Sequence, residues 1–137
     1  MDKQSAQEAQ QDLQTRIVKT TAFCIAGLLI PGLGHALQNK WTRAIIFFFS
    51  ISMMVALGLK LQGKLFDPGF DDIFSALKFI AEAGAGLLYW IPIWAGPPTG
   101  DPAAYTYDYA NLFLYVAGLL NMLIVIDVFD IALDRKQ

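Results

Sequence analysis

Residues 44–59 read AIIFFFSISMMVALGL, a run with no charged side chain, and Ser50 and Ser52 are its only polar groups. A helix on the surface of a soluble protein needs a polar face, and this run has none. Extended to Trp41 and Leu61, the stretch reaches the ~20 mostly apolar residues that cross a bilayer. The solvent of this chain is therefore expected to be lipid.

The rest of the sequence agrees. Of the 137 residues, 55% are hydrophobic and only 16% are charged, against about 25% charged in soluble domains; mean hydropathy is +0.45. Three further apolar stretches run over 17–37, 73–94 and 109–133. The expected fold is all-α: an integral membrane helical bundle of about four transmembrane helices. Pro31-Gly32-Leu33-Gly34 interrupts the first stretch, and irregular backbone at membrane depth must be packed on protein or line water. The alternative is three spans plus one interfacial or re-entrant helix. Residues 1–16 read as a polar cytoplasmic tail, and 17–137 as a single transmembrane domain. The first apolar stretch is not expected to be a cleaved leader, because the segment before it is long and carries Asp2, Glu8 and Asp12.

Threading follows from charge. With four spans, Lys3, Arg16, Lys19, Lys60, Lys64, Lys78, Arg135 and Lys136 share one side, and Lys40 and Arg43 lie on the other. Positive loops stay inside, so both termini are expected in the cytoplasm, with the protein in a bacterial inner membrane. The same threading gathers Trp41, Tyr89, Trp90, Trp94, Tyr105, Tyr107 and Tyr109 at one membrane face, where amphipathic rings are favoured.

Composition also excludes. A net charge of −2 offers no basic footprint for nucleic acid. Cys24 is the single cysteine, so neither an intrachain disulfide nor a Cys-based zinc site is available. No Ser-His-Asp set is credible around one histidine. The chain is expected to be non-enzymatic, with no cofactor and no metal.

The candidate chemistry is sparse. Lys78 and Glu82 lie one turn apart inside the third stretch. They read as an ion or proton pathway, or more plainly as an i,i+4 ion pair with Lys78 reaching outward. Asn121 can bond across helices, and Asn111 likewise. His35 follows the glycine turn and reads either as a ligand or proton acceptor, or as a hydrogen-bonding loop residue. Asp127, Asp130 and Asp134 share a helical face and are expected to clamp Arg16 and Lys19. Gly32, Gly34, Ser52, Ala56, Gly84, Gly86 and Gly118 are small residues suited to close helix contact. Four spans put His35 and the aspartates at opposite faces, which argues against a shared lipid-processing site.

Residues 31–48, PGLGHALQNKWTRAIIFF, resemble the Pro-Gly-Leu-Gly loop, basic-aromatic turn and apolar span of small bacterial multi-pass proteins, including the TM2-like group. The segments Tyr109-Ala110-Asn111, 118–123 (GLLNML) and 127–130 (DVFD) are similar to a small uncharacterised acidobacterial-type membrane family. That resemblance implies a multi-pass membrane protein and no particular activity. The expected role is an accessory or assembly subunit of a larger membrane complex, with lipid and a membrane-protein partner or a second copy as its contacts. A small oligomeric transporter or channel using Lys78 and Glu82 is the alternative.

Overall fold

The computed structural model describes residues 2–66 and 72–133. Its elements are helices: α1 (Lys3–Leu29), α2 (Leu33–Leu37), α3 (Trp41–Lys60), α4 (Ile73–Ala83), α5 (Leu87–Ala95) and α6 (Tyr107–Ala132). The Asp67-Pro68-Gly69 turn, Phe70, Asp71, Asp134, Arg135 and Lys136 lie outside the described residues.

The long helices form where the uncharged runs predict them. α3 has 20 residues and α6 has 26, about 30 and 39 Å at 1.5 Å per residue. Both are long and apolar enough to cross a membrane. A third crossing is possible by length and composition only if the bent pair α4 and α5 counts as one span.

α6 is the axis of the bundle. Ala110, Leu114, Ala117, Gly118, Asn121, Ile124, Val128 and Ile131 on it are all buried. α3 lies along α6 and runs antiparallel to it. Arg43 of the first turn of α3 is 3.7 Å from Asp127, while the Thr106 hydroxyl donates to the Leu61 carbonyl at 2.8 Å. The bundle thus has an Asp127 end and a Tyr107 end. Four alternating spans require α3 and α6 to be parallel, so that threading is corrected. So is the gathering of aromatics at one face: Trp41 stands at the Asp127 end, opposite Tyr107 and Tyr109.

The cause is that the other two apolar stretches fold back. α1 is continuous from Lys3 and exposed as far as Lys19, so the polar tail is a helical overhang. Its Asp2 cap accepts the Lys3 N–H at 3.1 Å. The apolar half of α1 packs along α6 from Ile131 to Asn121, with Cys24 beside Val125. Pro31 cannot continue a helix, and the chain turns at Gly32 with φ +82°. α2 then returns toward the Asp127 end, where the Gln38 side-chain amide donates to the Val128 carbonyl at 2.9 Å.

The third stretch is likewise not one helix. Gly86, at φ +65°, breaks it, and α4 and α5 meet at 108°. The flanks of this second hairpin are tied together at the Tyr107 end. Leu65 N–H donates to the Pro98 carbonyl at 3.2 Å, and Asp101 N–H to the Gln62 carbonyl at 3.3 Å. Each hairpin therefore begins and ends at its own end of the bundle.

Candidate functional site

The two hairpin tips meet at the middle of α6. Gly86 lies so close to the backbone carbonyls of Leu28 and Leu29 that a Cβ there would collide with both. On the flank of α4, a Cβ at Gly118 would strike the Ala81 carbonyl, and one at Gly84 would meet the Gly118 carbonyl at 2.7 Å. Small residues were expected to allow close contact, and Gly84, Gly86 and Gly118 do so within this chain. Gly34 packs against the Phe23 carbonyl and Val128, and Gly32 against Ala44. Ala56 is exposed and takes no part in that packing; Ser52 is half-buried, with its hydroxyl buried and unpartnered.

Asn121 joins the tips. It is fully buried. Its amide nitrogen donates to the Gly84 carbonyl at 2.8 Å and to the Leu28 carbonyl at 3.3 Å. Both acceptors are at helix C-termini, Leu28 in the last turn of α1 and Gly84 at the cap of α4, where carbonyls have no partner within the helix. One side chain thus stabilises two helix ends of like polarity, which would otherwise repel.

Toward the Tyr107 end, Glu82 is 1% exposed. One of its oxygens accepts the Phe66 N–H at 2.8 Å, and the Tyr89 hydroxyl donates to the Phe66 carbonyl at 2.6 Å. The other carboxylate oxygen is buried and makes no hydrogen bond. Lys78 does not close an ion pair on Glu82. Its ammonium sits 4.8 Å from the Phe66 ring centre, and Lys64 sits over the same ring at 5.4 Å. The expected i,i+4 bridge is replaced because the carboxylate turns inward to the Phe66 amide while Lys78 stays exposed. Asn111 accepts the Lys64 N–H at 2.8 Å.

Toward the Asp127 end, the expected separation of His35 from the aspartates is overturned. His35 is fully buried, and its Nε2 lies 3.0 Å from an Asp127 carboxylate oxygen. Its ring meets Phe47 edge-on, with centroids 5.0 Å apart. Folding back α1 and α2 brings this histidine to the aspartate. Of the residues expected to form the clamp, Arg16 pairs with Asp12 on its own helix at 3.4 Å, and Asp127 takes His35 and Arg43. Arg16 and Lys19 border a cleft with Gln38 and Ile131, and Asp130 makes an interaction of its own. Sequence reasoning missed Arg43, Gln38 and Tyr89 as cross-linking groups. Among the described residues no three His, Cys, Asp or Glu side chains converge as a metal site.

These features define a class: an all-helical, apolar bundle with two folded-back hairpins closed on a central helix. Residues 22–137 match DUF6677, a family of unknown function, and the chain belongs to that family. No curated protein and no solved structure matches it.

Proposed function

We propose that this chain is an integral protein of a bacterial inner membrane. In this reading α3 and α6 span the bilayer, the α1–α2 and α4–α5 hairpins re-enter from opposite faces, and both termini are cytoplasmic. Its role is non-enzymatic, as an accessory or assembly subunit of a larger membrane complex. The charge bias supports this orientation. Lys3, Arg16, Lys19, Lys40 and Arg43 belong to the terminal side, against Lys60, Lys64 and Lys78 on the other.

The observation that carries the role is the closed middle. The hairpin tips touch backbone to backbone at Gly86, sealed by Asn121, so the monomer has a packed centre in place of a path. Its outward surface is built of large apolar groups such as Phe49, Met53, Leu123 and Ile126, which suit an apolar surround. Native-gel migration and pull-down from mild-detergent extracts test this. A co-purifying membrane partner is expected, and a lone monomer contradicts it.

A transport reading is favoured by one feature, the unpartnered buried oxygen of Glu82. It requires that Glu82→Gln change ion or proton flux in proteoliposomes; unaltered flux removes it.

A further inference from the structure

Between α3 and α6 an open groove of about 360 Å³ runs from Leu120 to Asp127, about 10 Å along the helix. Its wall is apolar: Phe47, Ile51 and Ile124 form the floor, and Ile46, Leu120 and Leu123 the rims. Only its Asp127 end is charged. There the carboxylate is already held by His35 at 3.0 Å and by Arg43 at 3.7 Å.

Arg43 is held loosely. Its side chain is 45% exposed, and that 3.7 Å contact through one nitrogen is its one ion pair among the described residues. A guanidinium has five N–H donors in a planar fork that matches a phosphate. Trp41, 62% exposed, stands in the same first turn of α3, and such rings favour the headgroup level. An apolar trough that ends beside an open cation at that level has the polarity of one phospholipid. A partner helix fits less well, because helices dock closely on small residues and these rims carry Ile46, Leu120 and Leu123.

We propose that the α3–α6 groove binds a membrane phospholipid, with one acyl chain along Ile51 and Ile124 and its phosphate on Arg43. This rests on the membrane reading above. Asp127 is then a positioning residue, aiming the guanidinium along the groove.

The test uses the full chain in phosphatidylglycerol–phosphatidylethanolamine vesicles containing a phospholipid with a diazirine in its acyl chain. After photolysis, adducts are mapped by mass spectrometry. Labelling is expected to concentrate at Ile46, Ser50 and Leu123. Arg43→Gln is expected to lower it about tenfold, the scale of one lost charge-assisted hydrogen bond, and Arg43→Lys to restore part of it. Leu123→Trp, which crowds the rim and leaves Arg43 intact, is expected to lower it as well. Labelling spread evenly over the outward faces of α3 and α6, or indifferent to both Arg43→Gln and Leu123→Trp, overturns the proposal. Cross-linking of the groove to a second polypeptide overturns it in favour of a docked helix. Alkaline carbonate washing of the same vesicles separates the two failures. A retained protein with even labelling refutes the lipid site alone, and a released protein refutes the membrane reading with it.

Discussion

Replacing Gly118 by alanine adds one methyl group where α4 crosses α6. That Cβ would collide with the Ala81 carbonyl, and the Ala85 nitrogen lies 3.2 Å from it. Both are backbone atoms, one in α4 and one in the turn that follows it, so no rotamer change relieves the clash; α4 must move off α6. Overpacking costs about 1–3 kcal/mol where side chains can adjust, and rigid backbone places this site at the upper end. Moving α4 also stretches the 2.8 Å bond from Asn121 to the Gly84 carbonyl, a net loss of about 1 kcal/mol. The expected destabilisation is about 3–4 kcal/mol. By the scaling known for soluble domains, that lowers the melting midpoint by roughly 6–16 °C. The assay is equilibrium unfolding in mixed micelles with rising SDS, followed by circular dichroism. Ala56→Leu is the control, because Ala56 is exposed and outward substitutions stay within about 0.5 kcal/mol. A Gly118→Ala protein as stable as the control would refute the packing of α4 on α6.

Gly86→Ala combines a left-handed backbone position with a collision into the Leu28 and Leu29 carbonyls, and should cost about 3 kcal/mol or more in the same titration. Asn121→Ala loses both donated bonds and should cost about 1–3 kcal/mol. Asn121→Asp should cost more than alanine, because a carboxylate would face two carbonyl oxygens. His35→Ala empties a fully buried position against Phe47 and should cost about 2–4 kcal/mol. Asp127→Asn keeps a partner for His35 and weakens the long contact with part-exposed Arg43, so its cost should stay at or below about 1 kcal/mol.

The long apolar helices are legible because an uncharged run of that length has few ways to be soluble. The third and fourth apolar stretches differ in kind. The fourth runs over 109–133 and α6 over Tyr107–Ala132, an uninterrupted helix that composition alone bounds. Stretch three covered 73–94 but reverses at Gly84–Gly86, and hydropathy is blind to direction: a folded stretch reads like a straight one. The signals were present, in Pro31-Gly32 and in Ala83-Gly84-Ala85-Gly86, yet glycine there serves both a smooth face and a turn. Once the reversals are missed, pairings fail with them. His35 and Asp127 are 92 positions apart, and only the returning α2 joins them. Glu82 was expected to find Lys78, but its partner is the Phe66 backbone N–H, a donor that every non-proline residue carries and no motif marks.

The first apolar stretch turns back at Gly32, and in the proposed topology it does not cross the bilayer. In a chain with Cys24→Ala, single cysteines at Gln7, Lys40 and Thr99 can be probed with a membrane-impermeant maleimide on intact cells and inverted vesicles. Gln7→Cys and Lys40→Cys are expected to react from one side and Thr99→Cys from the other. Lys40→Cys and Thr99→Cys reacting together, opposite Gln7→Cys, would contradict it.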